Sequence, residues 1–179
     1  MKQRIIFTLL AICLPFFSIQ AQEIEDNTYE TAERLFHIAR SANKNLVCYD
    51  ANLVNGKLDS KKPLNVYWVN REERPGETNG LSYIQRKLAY GYKLVSENSN
   101  SSTCTLTAYP SRQLTITQQG SKCFCYITIN NQQAILKSLY VQASPKNPLS
   151  VEYVELTGIS VDTHEILIER VRKGSETSK

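Results

Sequence analysis

Short runs of alternating apolar and polar residues fill the C-terminal part of the chain, from Thr103 to Val171. The segments CTLTAY, QLTITQ, CFCYITIN and QAILKSLYVQA succeed one another with minimal linkers, and VEYVELTGISV and EILIERV follow as a pair. Alternation with a period of two is typical of half-buried strands. Because such short connections join antiparallel neighbours, the pattern predicts a β-meander that ends in a hairpin.

Further strands are predicted before the meander, in RLFHIAR from Arg34, in LVCYDANL, in LNVYWVN and in AYGYKLV. Between the last two, Leu81, Ile84 and Leu88 recur at helical spacing, which predicts one short helix. So many strands have to hide their edges by closing a barrel or by stacking two sheets. The predicted fold class is therefore mainly β: a single antiparallel β-barrel-like or sandwich domain of about nine or ten strands with one short helix.

The N-terminus has the order of a secretory signal peptide. Lys2 and Arg4 form a positively charged region, the apolar run IIFTLLAICLPFFSI follows, and small Ala21 precedes an acidic stretch. This run is short of the roughly 20 residues that span a bilayer, and no later stretch is long enough. We therefore expect cleavage near Ala21, no transmembrane span in the mature chain, and export to the periplasm or to the medium.

The composition divides the chain into four ranges. We expect a signal peptide at 1–21, an irregular or short helical lead-in at 22–33, a single β domain at 34–172 and a flexible tail at 173–179. Removal of residues 1–21 takes away two basic groups and no acidic ones, so 21 − 2 = 19 basic residues face 17 acidic ones, a net charge of +2. So balanced a charge argues against nucleic acid as a partner.

Four cysteines remain after residue 21, and they leave two interpretations open. Cys48, Cys104, Cys123 and Cys125 are possible disulfide cysteines, since an exported protein can form disulfides. Alternatively they are small buried hydrophobes, because Cys123 and Cys125 share a strand face with Ile127. No histidine stands at ligand spacing beside them, so we expect neither a metal nor another cofactor.

A catalytic group is formally available in the first predicted hairpin. Cys48 and Asp50 share a strand face, and a hairpin could bring His37 near them. Against catalysis, no glycine flanks Cys48 to provide an oxyanion-binding turn, and an isolated cysteine on a strand is more often part of a core. The sequence leaves open whether these three residues converge, and a non-enzymatic protein is the expected class.

Six residues are candidate ligand contacts: Arg40, Asn43, Asn45, Trp68, Arg86 and Tyr90. Arginine offers a fixed fork of donors for a carboxylate or a phosphate, and an asparagine amide both donates and accepts. Each residue also has a structural explanation. The asparagines can satisfy the backbone of a turn, Trp68 can belong to the core, and Arg86 can lie on a solvated helix face.

Several segments resemble one family, catalogued as domain of unknown function 4833. These segments are FHIARSANKNLVCYDANL, GKLDSKKPLNVYWV, LSYIQRKLAYGY and YVELTG, and they lie within residues 34–171. The matching positions are Phe36, Arg40-Ser41, Asn43, Asn45, Tyr49, Pro63, Tyr67-Trp68, Gln85 and Ala89-Tyr90-Gly91. The resemblance implies an exported bacterial protein with one domain. It implies no activity and no catalytic residue.

Two functional hypotheses follow. In the first, a β-barrel binds a small or lipid-like molecule in a mostly apolar cavity. In the second, a domain with a filled core binds an envelope protein or a glycan through an exposed face. A hydrolase is a distant third. The packing of the interior distinguishes the first two hypotheses.

Overall fold

The computed structural model describes residues 31–172, apart from the side chains of residues 148 and 149. The predicted signal peptide, residues 22–30 of the predicted lead-in and the predicted tail at 173–179 lie outside the described residues. Within residues 31–172, no helix is long and apolar enough to cross a membrane.

The described residues form thirteen strands and one short helical segment. The elements are β1 (Arg34–Arg40), β2 (Asn43–Ala51), β3 (Leu53–Val54), β4 (Lys57–Leu58), β5 (Leu64–Val69), β6 (Thr78–Gly80), α1 (Tyr83–Gln85), a π-helical turn (Arg86–Tyr90), β7 (Tyr92–Glu97), β8 (Ser101–Leu106), β9 (Tyr109–Gln119), β10 (Lys122–Ile129), β11 (Gln132–Ser144), β12 (Asn147–Ser160) and β13 (Ile166–Arg172). Ten of these strands have six residues or more, which agrees with the predicted nine or ten, and the remaining three, β3, β4 and β6, are too short to leave a period-two pattern.

Eleven of the strands belong to one sheet. Nine follow the order β6-β5-β2-β1-β11-β10-β9-β8-β7 and curl into a half-barrel, while β12 pairs with β11, and β13 pairs with β12. The mainly β, barrel-like fold class is confirmed. One pair departs from the antiparallel pattern, since β1 runs parallel to β11. A parallel pair needs a long connection, and these two strands are far apart along the chain.

The two halves of the sheet meet through large buried side chains on their inner faces. Phe36 on β1 and Tyr49 on β2 are cross-strand partners, and their rings stack with centroids 4.4 Å apart. Ile116 on β9 and Leu136 on β11 belong to the same buried cluster. Each of the four is at most 1% exposed, and burial of such a side chain contributes about 1.5–3 kcal/mol. The middle of the half-barrel is therefore filled.

The segment between β2 and β5 crosses to the other half of the sheet and is held there by side-chain hydrogen bonds. Gln118 on β9 accepts from the backbone N–H of Leu58 at 2.8 Å and donates to the carbonyl oxygen of Gly56 at 2.8 Å. The hydroxyl of Ser102 on β8 donates to the carbonyl oxygen of Ser60 at 2.8 Å. These bonds satisfy backbone groups that lie outside the large sheet.

The helical segment begins with a capping box. The Ser82 hydroxyl accepts from the N–H of Gln85, and the Gln85 side chain accepts from the N–H of Ser82. The predicted helix is present, but the predicted apolar spacing does not mark a buried face. Leu81 is buried, whereas Ile84 and Leu88 are 66% and 68% exposed. Tyr90 is the only buried residue of the helical segment.

Substitution of Gly91 by alanine should destabilise the fold. An added Cβ at Gly91 would lie 2.1 Å from the carbonyl oxygen of Arg86, which accepts the N–H of Gly91 and closes the π-helical turn. Overpacking of this kind typically costs about 1–3 kcal/mol, and urea unfolding of Gly91→Ala measures it. Gly80→Ala is the matched control, because a Cβ there meets nothing within 4 Å. Equal midpoints for the two variants would contradict the prediction.

Candidate functional site

Polar side chains replace the core at one end of the inner face. Val47 on β2 pairs with Trp68 on β5, and Trp68 pairs with Asn79 on β6. Since alternate residues of a strand share a face, Asn45 lies on this same inner face, and Asn70 is the first residue after the end of β5. Together these residues border an open depression of about 330 Å³, here called the amide-lined mouth, with the lining Asn43, Asn45, Trp68, Asn70, Asn79 and Gln85.

The amide oxygens of the mouth are engaged by the backbone. The side-chain oxygen of Asn43 accepts from the N–H of Asn45 at 3.2 Å, and that of Asn45 accepts from the N–H of Arg71 at 2.9 Å. The Asn70 oxygen accepts from the N–H of Glu72 at 3.0 Å. With Gln85 held by the capping box, four amide groups are fixed in orientation by backbone donors.

The amide nitrogens of the same four side chains are left as donors. Within residues 31–172 no acceptor is bound to the NH₂ groups of Asn43, Asn45, Asn70 or Gln85, and the side chain of Asn79 makes no hydrogen bond at all. Each NH₂ group carries two donors. The mouth is therefore a concave surface with preset donors that suits a ligand rich in oxygen acceptors.

Trp68 and Tyr90 connect the mouth to the core. Their rings pack edge to face with centroids 5.1 Å apart, a favourable aromatic geometry. Arg40 donates to the Tyr90 hydroxyl at 2.8 Å, and the Tyr49 hydroxyl donates to the Tyr90 carbonyl oxygen at 2.8 Å. The indole N–H of Trp68 is buried and finds no acceptor among the described residues, which costs about 1–3 kcal/mol.

A second depression of about 420 Å³ adjoins the mouth and shares Asn43 with it. Its lining includes three cations, Arg40, Lys44 and Arg71, and one carboxylate, Glu72. Lys44 and Glu72 form an exposed ion pair at 3.8 Å. The described lining of this second depression thus contains three basic groups and one acidic group.

Five of the six predicted contacts are brought together here. Asn43, Asn45 and Trp68 line the mouth, while Arg40 and Tyr90 are linked to each other and, through the Tyr90 ring, to Trp68. Arg86 is not part of this group. It borders a separate groove of about 690 Å³, here called the basic groove, with Lys62, Leu64, Leu81, Lys87 and Lys93.

Sequence reasoning missed Asn70, Asn79 and Gln85 as mouth residues, and Lys62 and Lys93 in the basic groove. Asn70 lies two residues after Trp68, so strand alternation could have placed it on the same face. Asn79 lies in a short edge strand that the sequence does not reveal. The contacts across the basic groove join segments that are distant in the chain, and no local pattern predicts them.

The catalytic interpretation of His37, Cys48 and Asp50 is not supported by the geometry. His37 and Cys48 are cross-strand partners on β1 and β2, whereas Asp50 lies opposite Arg34. Cys48, however, is 0% exposed and packs with Leu46 and Val69. A thiol so enclosed cannot reach a substrate.

Asp50 is engaged by a network of its own. Its carboxylate accepts from Arg34 at 2.6 Å, from the Tyr67 hydroxyl at 2.5 Å and from the Thr31 hydroxyl at 3.0 Å. The Arg34 and Asp50 side chains are each 9% exposed. Burial, together with the bond to Asp50, raises the pKa of Tyr67. These three donors indicate that Asp50 has a structural role, as the ion-pair partner of Arg34.

The four cysteines after residue 21 are not joined by disulfides in the structure. Cys48, Cys104 and Cys125 are buried, and Cys123 is half-buried. Burial raises the pKa of the Cys104 thiol to about 12 and raises that of Cys125 as well. Among residues 31–172, no cluster of three or more histidine, cysteine or acidic side chains could hold a metal ion.

Comparison with known proteins identifies a family. The model of a family described as a domain of unknown function (DUF4833) matches residues 36–170, which confirms the resemblance noted in the sequence. No curated protein and no solved structure matches the chain.

Removal of the Asp50 charge should strongly destabilise the protein. In Asp50→Asn, the partly buried guanidinium of Arg34 loses the Asp50 carboxylate, and breaking a buried pair typically costs about 3–5 kcal/mol. The exposed pair of Lys44 and Glu72 provides the control, because Glu72→Gln should cost about 0–1 kcal/mol. Chemical denaturation of both variants measures the difference, and comparable losses would refute the structural role of Asp50.

Thiol labelling should separate Cys123 from the other three cysteines. Of these four cysteines, only half-buried Cys123 should be modified by iodoacetamide in native protein near neutral pH, and slowly, because burial raises its pKa. Cys48, Cys104 and Cys125 should react only after unfolding. Peptide mapping by mass spectrometry without reductant gives the result directly, and a cross-linked pair of peptides would show that a disulfide is present and contradict the prediction.

Proposed function

The chain belongs to the DUF4833 family, and we propose that it is an exported, non-catalytic domain that binds a saccharide at the amide-lined mouth. The observation that carries the proposal is the set of four amide groups whose oxygens are held by the backbone and whose nitrogens remain available as donors around Trp68. Preset donors cost little ordering entropy when a ligand binds.

A saccharide matches both features of the mouth. Its hydroxyl and ring oxygens accept hydrogen bonds around the edge of the ring, where the NH₂ groups of the mouth can donate. The face of a sugar ring carries aliphatic C–H groups, which pack on an aromatic side chain such as Trp68. Small-molecule sites commonly combine an aromatic surface with a few well-placed polar groups in this way.

The neighbouring charges favour an acidic sugar. Arg40, Lys44 and Arg71 border the adjoining depression, and Glu72 is the only carboxylate in its described lining. A carboxylate on a sugar held in the mouth would lie in the attractive field of these cations.

The filled interior favours binding at the surface. An internal carrier of a lipid-like molecule needs a largely apolar cavity, whereas Phe36, Tyr49, Ile116 and Leu136 occupy the middle of the half-barrel and are at most 1% exposed. The three described depressions are all open to the surface. The glycan-binding alternative is therefore better supported than an enclosed lipid site.

Titration with sugars tests the proposal, because the only tryptophan of the chain is Trp68. Its single indole N–H signal in a ¹H–¹⁵N spectrum and its fluorescence both report on the mouth. We expect saturable changes with glucuronic acid or its short oligomers, and smaller changes with glucose and N-acetylglucosamine. Unchanged Trp68 signals for all of these sugars and oligomers would refute saccharide binding at this site.

The variant Asn79→Ala identifies the mouth as the contact. The Asn79 side chain is exposed and makes no hydrogen bond within the described residues, so its removal should leave stability unchanged. Loss of one ligand hydrogen bond should weaken binding about two- to tenfold, which corresponds to about 0.5–1.5 kcal/mol. Asn100→Ala, on the β7–β8 loop, is the matched control and should bind as the native chain does. Equal affinities for the two variants would place the sugar elsewhere.

A further inference from the structure

The basic groove collects four cations without a compensating carboxylate. Lys62, Arg86, Lys87 and Lys93 line it, and none of its lining residues is acidic. Within residues 31–172, none of the four forms an ion pair. Arg86 donates through Nε to the carbonyl oxygen of Leu81 at 3.2 Å, which fixes the side chain and leaves its terminal nitrogens as donors. Like charges that line one groove repel one another, so the groove is suited to an anion.

The floor of the groove is apolar. Leu64, Val66, Leu81 and Tyr92 contribute to it, and the hydroxyl of Tyr92 donates to the Leu64 carbonyl oxygen at 3.2 Å. That bond ties β7 to β5 across the groove. The basic groove thus has about 690 Å³ of concave surface with apolar walls and a cationic rim.

An exposed apolar ridge stands beside the groove. Tyr83, Ile84 and Leu88 are 75%, 66% and 68% exposed. Ile84 and Leu88 are four residues apart and so share a helix face, and Tyr83 adjoins Ile84 in the chain. Lys87 lies between ridge and groove, with its ammonium 5.8 Å from the centre of the Tyr83 ring. Large apolar side chains grouped in this way mark a surface that meets a partner or a membrane.

We propose that the basic groove and the ridge form a docking surface for an anionic lipid membrane. Apolar side chains bordered by lysine and arginine are the features by which a protein lies at a bilayer surface. The four cations attract lipid phosphates, and Ile84 and Leu88 enter the boundary of the acyl chains. An acidic protein would be attracted by the same cations, but the apolar ridge and apolar floor together suit the layered chemistry of a bilayer better.

Sedimentation with vesicles tests this surface. The full chain is mixed with vesicles of phosphatidylcholine, alone or with phosphatidylglycerol. All variants share the same N-terminus, so the apolar segment Ile5–Ile19 contributes equally to every sample. We expect stronger binding to the anionic vesicles, weakened by salt because the attraction is screened. Equal binding to both vesicle types would overturn the proposal.

Two pairs of substitutions locate the contact. Lys62→Glu with Lys93→Glu should weaken binding to anionic vesicles at least twentyfold, since each cation near an anionic surface contributes about fivefold. Ile84→Ser with Leu88→Ser should weaken it about tenfold. All four side chains are exposed, so these variants should fold, which unfolding midpoints will verify.

Matched pairs elsewhere on the chain serve as controls. Lys122→Glu with Lys137→Glu changes the net charge equally, and Ile166→Ser with Ile168→Ser removes equally exposed apolar side chains from β13. Both control pairs should bind within about twofold of the native chain. Losses as large as those of the groove and ridge pairs would show that the binding is not local and would overturn the assignment.

Inorganic phosphate and glycerol phosphate distinguish a membrane from a soluble anion. If either binds the groove as tightly as vesicles do, and the ridge pair leaves vesicle binding unchanged, a free anion is the ligand and the membrane proposal is wrong. The Trp68 indole signal remains a separate report on the mouth. Vesicle binding without a Trp68 response to sugars would support the membrane surface alone. A Trp68 response to sugars without vesicle binding would support saccharide binding alone.

Discussion

Strand β11 is the element on which both halves of the fold depend. Along one edge it pairs with β10 near its start and with β1 from Ser138 to Val141, and along the other edge it pairs with β12. Its partner changes around Leu136, which is 0% exposed. Because the sheet is twisted, β10 and β1, which pair with successive parts of the same edge of β11, run in different directions away from it. The β10 half and the β1 half can then face each other and bury Tyr49 and Ile116 between them.

The mouth arises where this shared core ends. Along β2 the inner face changes from Tyr49 and Val47 to Asn45 and Asn43, and along β5 it continues from Trp68 to Asn70. At these strand ends the backbone loses sheet partners, and the amide oxygens accept the N–H groups of the turns instead. The structural and the binding interpretations of the asparagines are therefore compatible, because the turn uses the oxygens and leaves the nitrogens.

The fold class and the first hairpin were predictable because their signals are local. The alternation in β1 and β2 gave the pairing that brings Arg40 next to Asn43. The parallel pairing of β1 with β11 left no local signal. The stretch from Arg71 to Gly80 has no apolar residue, so the sequence pattern did not predict that Asn79 lies in a strand that pairs with Trp68. The helical spacing of Ile84 and Leu88 was correctly observed, but burial depends on what a helix packs against, and periodicity cannot show that.

The short helical segment from Tyr83 to Tyr90 joins the two proposed surfaces. A helix of this length is marginal by itself, and its only buried residue is Tyr90. Its position therefore depends on the capping box at Ser82 and on the bonds of Tyr90 to Tyr49 and Arg40. Gln85 lines the mouth while its neighbour Arg86 lines the basic groove. Because the ridge of this segment points away from the buried Tyr90, contact with a bilayer there would leave the amide donors free to bind a sugar.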